Sequence, residues 1–175
     1  MERRGKCFSW FTVILFVLLL LWVVLQFSAP LVLPENSVTD LSGLVAVSDN
    51  EYEIQGMSFP WGFVYTVGDR LCHQKADRSF FIHGNQMPFC SRCTAIWLSL
   101  AIGLFVMIFY KIKLDGKFLF IALLCVVPMG LDGVGQLVGL WESTNLIRFI
   151  TGFLAGFICG VAIGVIIDEL KGIND

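Results

Sequence analysis

Three thiols and an imidazole, Cys72, His73, Cys90 and Cys93, fall in the polar stretch just before a long apolar run that begins near Thr94. Thiolate and imidazole are soft ligands suited to a tetrahedral zinc or iron site, and the interval from His73 to Cys90 is close to that between paired ligands in zinc modules. Cys90 and Cys93 are three residues apart at the expected start of a helix. Both therefore face one side, and both feel the free amide groups and positive dipole end that lower a thiol pKa. The same pair also suits thiol–disulfide exchange. Two chemistries stay open at these residues, a Cys3His metal site and a redox dithiol, with a structural disulfide as a third outcome. Adjacent residues do not easily reach one ion, so Cys72 or His73 can instead support the ligands or serve a catalytic step. Catalysis by the ion would need an open coordination position.

A second set of polar residues interrupts apolar sequence further on. Asp132 and Gln136 are four apart on one helical face, while Asn145, Arg148 and Thr151 recur at three-residue steps. If the intervening turn centres near Leu140 and Trp141, Asp132 comes level with Arg148 and Gln136 with Asn145. An ionisable residue inside a membrane span is costly and faces the bundle interior with a partner, which makes Asp132, Gln136 and Arg148 candidate functional groups. The plainer alternative is an Asp132–Arg148 ion pair that only sets helix register. At a rise of 1.5 Å per residue Asp132 sits roughly 20 Å above the inner end of its helix, near the same membrane face as the thiols.

The elements that must position these residues are membrane helices. Of the 175 residues 57% are hydrophobic and 15% charged, a composition that excludes an ordinary soluble enzyme. A hydrocarbon core about 30 Å thick needs roughly 20 apolar helical residues, and four runs qualify: Phe8 to Phe27, Phe89 to Tyr110, Phe118 to Leu137 and Leu146 to Ile167. The first reads as a retained anchor, because Phe27-Ser28-Ala29 is a poor cleavage site and Pro30 follows it. The expected fold is therefore an all-α, four-helix, multi-pass protein of the cell membrane. It comprises an anchor (1–29), an outer segment (30–88) and a three-helix core (89–175).

Arg3, Arg4 and Lys6, then Lys111, Lys113 and Lys117, then Lys171 place both termini and the short loop in the cytoplasm. The outer segment then faces away from it. Val45 to Val47 and Tyr52 to Ile54 read as two short strands of a hairpin around Ser48-Asp49-Asn50, and Ser58 with Pro60 opens an interfacial helix that ends near Asp69, Cys72 and His73. Gly152, Gly156, Gly160 and Gly164 recur every fourth residue, a stripe that packs the last span within the bundle or, alternatively, forms a homodimer seam. Cys7, Cys125 and Cys159 lie in or beside apolar runs and read as small hydrophobic residues, and His83 as a solvated loop residue. A net charge of −2 with no block of like charge points to membrane lipid as partner and to no nucleic acid.

Cys72-His73-Gln74, Arg78-Ser79-Phe80, Met87-Pro88-x-Cys90-x-Arg92-Cys93-Thr94, Asp132-Gly133-x-x-Gln136 and Asn145-x-x-Arg148-x-x-Thr151-Gly152 together resemble the family called domain of unknown function 2085. The resemblance runs from about Tyr65 to the end of the fourth span. It implies a small prokaryotic membrane protein and carries no assigned activity. A looser likeness of layout, four spans with Cys-x-x-Cys at the outward start of the second, is to quinone-linked thiol oxidases of the DsbB and vitamin K epoxide reductase type. That likeness implies a quinone acceptor, with Cys72 as the one available relay thiol. A transporter or channel subunit is a further alternative, although one Asp and one Arg do not outline a conduction path.

Overall fold

The computed structural model describes residues 2–3, 9–43 and 45–172. Cys7 lies outside them. Four helices are long and apolar enough to cross a membrane: α1 (Trp10–Val32), α4 (Ser91–Phe109), α5 (Gly116–Leu137) and α6 (Asn145–Gly172). Between α1 and α4 lie two shorter helices, α2 (Glu51–Gln55) and α3 (Trp61–Leu71), and a hairpin of β2 (Ser79–Ile82) with β3 (Asn85–Cys90). Two-residue strands β1 (Glu2–Arg3) and β4 (Tyr110–Lys111) pair with each other. The chain is thus a mostly helical membrane protein with four candidate spans and a small sheet region.

Most large side chains of α1 and α5 are exposed, among them Phe11, Leu18, Leu21, Phe120, Leu123 and Leu131. A helix apolar on its outer face suits hydrocarbon, where its backbone groups are satisfied internally. The interior is built instead around α4 and α6. The glycine stripe lies against α4 in parallel: Gly152 meets the Arg92 carbonyl, Gly156 meets Ile96 and Ser99, Gly160 meets Leu100 and Gly103, and Gly164 meets Met107. The stripe, read above as packing the last span within the bundle with a homodimer seam as the alternative, lies against α4 of the same chain. A methyl group at position 156 would lie 2.5 Å from the Ile96 carbonyl oxygen. Gly156→Ala should therefore overpack the seam and cost about 1 to 3 kcal/mol, read as a lower unfolding midpoint in detergent. Gly116→Ala, with open space around it, should leave the midpoint unchanged.

The β1–β4 pairing brings the N-terminal strand to the end of the bundle that holds the α4–α5 loop. A cleft of about 1000 Å³ at that end is lined by Lys111, Lys113 and Lys117 together with Asp168 and Glu169 near the end of α6. The α4–α5 loop and the late residues of α6 therefore share one end, and the outer segment gathers at the other.

The hairpin is not where the apolar pattern predicts. Residues 45–47 form a turn and Tyr52 to Ile54 belong to α2, whereas the strands lie at 79–90. His83 and Gly84 both have positive φ, 54° and 72°, the conformation a two-residue hairpin turn needs, and His83 is exposed. β3 is buried from Asn85 to Phe89, and its polar side chains serve as fasteners. Asn85 Nδ2 donates to the Pro30 and Pro34 carbonyls (2.9 Å each), satisfying the end of α1, while its Oδ1 accepts from the Val38 amide at 3.0 Å. Gln86 Oε1 accepts from the Leu41 amide at 2.9 Å, and its Nε2 donates to the Gln74 carbonyl at 2.9 Å. Tyr65 donates its hydroxyl to the Gln86 carbonyl at 2.6 Å, and burial pushes its pKa up, so the donor proton stays in place. Ala29, Val38, Leu41, Ile54, Val64 and Tyr65 form the apolar core beneath.

The charge pattern leads to the expectation that this segment lies outside the cytoplasm. Asn50 is buried and bound to Asp69, so fully exposed Tyr52 is the better reporter. A membrane-impermeant thiol reagent should label Tyr52→Cys in intact cells and spare Lys113→Cys; the opposite pattern would invert the orientation.

Candidate metal centre and polar network

α3 ends because Cys72, its C-cap, turns to extended backbone (φ −137°, ψ 148°). Successive side chains of extended backbone point to opposite sides. Cys72 accordingly turns inward and is buried, while His73 is exposed. The expected Cys3His set therefore comes together only in its three thiols. The other two arrive through β3, which runs on to Cys90 where a helix was expected from Phe89; Cys90 is the N-cap of α4 and Cys93 lies in its first turn. Gly68 lets α3 approach β3 closely enough to meet the Pro88 carbonyl, and Gln74 Nε2 donates to that carbonyl at 2.6 Å. These contacts fix the crossing that brings Cys72 against Cys90.

The sulfurs of Cys72, Cys90 and Cys93 lie within 4.8 Å of one another. A tetrahedral ion with metal–sulfur bonds of about 2.3 Å sets its sulfurs roughly 3.8 Å apart, so three sulfurs within 4.8 Å of one another could close on one ion. The Cys90 backbone N–H donates to Cys72 Sγ at 3.3 Å. The Cys90 thiol is held well below the ordinary thiol range by hydrogen bonds from the Cys72 and Cys93 thiols, aided by the backbone amides of Cys93 and Arg92 at the helix start. The Cys72 thiol is held above that range, because its proton is shared with Cys90 and Cys93 and because it is buried. Cys125 is half-buried beside apolar neighbours and Cys159 is exposed, both outside the cluster.

The second constellation also assembles, with a different partner for its carboxylate. Asp132 pairs with Arg92, the residue between the two clustered thiols of α4, and not with Arg148. Gln136 Nε2 and Trp141 Nε1 also donate to Asp132, at 3.0 and 3.4 Å. Trp141 folds back over Gly135, which has no side chain to obstruct the ring. Arg148 bonds instead to Gln136 Oε1 at 3.0 Å and Asn145 Oδ1 at 3.2 Å. Gln136 is thus level with Arg148, and the α5–α6 register differs from the one a turn at Leu140 and Trp141 predicts. Ser91 Oγ contacts both Asn145 Oδ1 and the Arg78 carbonyl at 3.0 Å, extending the network to the hairpin. Thr151 donates to the Ile147 carbonyl of its own helix and takes no part.

Arg92 is the residue the sequence pattern does not single out. It stands among the outer polar residues, and only its level in the bundle, opposite Asp132 at the far end of α5, marks it as the partner. It joins the two constellations into one site.

The chain is 42% identical over 101 residues to an uncharacterized protein of Methanocaldococcus jannaschii, a match covering 53% of the chain and 64% of that relative. It is 41% identical over 86 residues to an uncharacterized protein of Methanothermobacter thermautotrophicus, covering 47% of the chain and 74% of that relative. The chain thus spans somewhat less than two-thirds of the first relative. No solved structure matches it. A family model described as "Predicted membrane protein (DUF2085)" matches residues 72–162, more than half of the chain and a range that holds all three clustered thiols and the whole Asp132 network, so the chain belongs to this family.

Proposed function

We propose that Cys72, Cys90 and Cys93 hold one zinc or iron ion as thiolates, and that the ion clasps the outer segment to the membrane bundle. The network of Asp132, Gln136 and Arg148 beside it receives the polar head of an amphiphile, on the extracytoplasmic face of the cell membrane. The observation that carries this reading is the meeting of three sulfurs from two separate segments within 4.8 Å. The Cys90 amide directed at Cys72 Sγ would hydrogen-bond a thiolate there once an ion takes the place of its proton. His73 completes a Cys3His set only if the backbone after Cys72 turns its exposed imidazole inward.

A second reading draws on the aromatic side chains around the thiols. Phe89 precedes Cys90, Trp97 follows Cys93 by one turn, and both meet Trp22 edge to face. The half-buried rings of Trp22 and Trp97, with buried Phe89 behind them, suit a flat quinone ring. In that reading the Cys90 and Cys93 thiols together release two electrons and two protons to the quinone, giving a disulfide and a quinol.

Metal analysis of detergent-purified protein, with thiols counted on the same sample, separates the two. About one zinc or iron per chain supports the clasp. Metal-free native protein whose Cys90–Cys93 disulfide cycles with a quinone supports the second reading, and a disulfide that does not cycle leaves neither.

A further inference from the structure

Arg148 is buried at the outer end of α6, yet its guanidinium bonds only to neutral acceptors, Asn145 Oδ1 and Gln136 Oε1. Among the described residues no carboxylate lies within ion-pair distance of it. A cation enclosed at the end of a span is costly unless a counter-charge accompanies it. Asp132 is engaged by Arg92, Gln136 and Trp141, and Arg148 is linked to it only through the Gln136 amide. The Arg92 Nε is moreover enclosed without an acceptor. Arg78 lies close by, its carbonyl held by the same Ser91 hydroxyl that reaches Asn145. Its Nε has no hydrogen-bond acceptor either, with the carboxylate of Asp77 3.6 Å away at the surface. The charges of Arg78 and Arg92 act on Arg148, opposed by those of Asp77 and Asp132.

We infer that Arg78, Arg92 and Arg148 form a binding site for a phosphoryl group. The inference rests on the amphiphile reading of the network and not on the metal. Three guanidiniums stand against Asp132 in the interior and Asp77 at the surface, so a net positive charge remains to attract a phosphoryl group, which carries about −1.5 to −2 near neutral pH. Guanidinium forks also suit phosphate oxygens, which accept bidentate hydrogen bonds. The side chains of Arg78 and Arg92 are 40% and 25% exposed, so the cluster is open to its surroundings on that side. The phosphoryl group can come from a lipid headgroup or from free phosphate.

The full chain in detergent, its metal content measured, is titrated in parallel with inorganic phosphate, with phosphatidic acid and with diacylglycerol of the same acyl chains. Retained lipid is read by intact mass, and affinity by thermal shift. Wild-type protein should prefer phosphatidic acid to diacylglycerol. Arg148→Gln should weaken phosphate or phosphatidic acid binding roughly 10- to 100-fold, the loss expected for hydrogen bonds to a charged group. Arg78→Gln, at the surface and outside the spans, should weaken it severalfold in a protein that folds normally. Inorganic phosphate binding as tightly as phosphatidic acid identifies the free anion, and a clear preference for the lipid identifies the headgroup. Equal retention of phosphatidic acid and diacylglycerol, unchanged by either substitution, overturns the phosphoryl assignment but leaves the amphiphile reading. A protein that binds none of the three overturns both.

Discussion

Cys90→Ser combined with Cys93→Ser should remove the bound ion from purified protein and free the outer segment from the bundle while the membrane helices stay assembled. The cluster joins α3 to α4 at one point, whereas α4 and α6 pack along their length through the glycine stripe, which makes no use of the thiols. Structural zinc contributes about 10 to 16 kcal/mol of apparent free energy in small peptide modules. Only part of that would be lost here, because Asn85, Gln86 and the apolar core around Tyr65 hold the same segment. The expected readout is rapid protease cleavage near Val47 in the double variant, with the fragment carrying α4 to α6 persisting. His73→Ala should retain the ion if three thiolates suffice, and should lower the affinity if the imidazole turns inward on binding. Unchanged metal content in the double serine variant would rule out the clasp.

Asp132→Ala should be the most damaging single substitution in the polar network. It leaves the Arg92 guanidinium without its counter-ion and deprives Gln136 and Trp141 of their acceptor. Breaking a buried ion pair from one side costs about 3 to 5 kcal/mol in soluble proteins, and somewhat less in a membrane, where the unfolded helices find other partners. Arg92→Ala should cost less, because Asp132 keeps two donors, Gln136 Nε2 and Trp141 Nε1. A double-mutant cycle on Asp132 and Arg92 should therefore give a coupling of about 1 to 3 kcal/mol. The cycle on Asp132 and Arg148 should give a small value, since Gln136 stands between them. Stability measured by unfolding in mixed micelles decides the matter. Stronger coupling to Arg148 than to Arg92 would mean that α5 and α6 meet in the register predicted from the turn.

The membrane spans were legible because crossing hydrocarbon depends on the local run of apolar residues, which needs no knowledge of neighbours. The glycine stripe was legible for a similar reason, as a helical period in small residues. Its partner was not, since α4 and a second copy of the chain offer the same kind of surface. The hairpin escaped because β3 buries Asn85, Gln86 and Pro88, which lack the alternating apolar pattern of a strand and carry the polar character of a loop; only His83-Gly84 hinted at the turn. The three thiols were marked by residue type and proximity in sequence, whereas the outward placement of His73 depended on one residue of extended backbone after α3. The ion pair was beyond the sequence pattern altogether. Asp132 had Arg92 and Arg148 within reach in principle, 40 and 16 positions away, and the choice between them follows from how far α5 rises against α4 and α6. That height is set by side chains interlocking across helices, a property of the packed bundle and of no single segment.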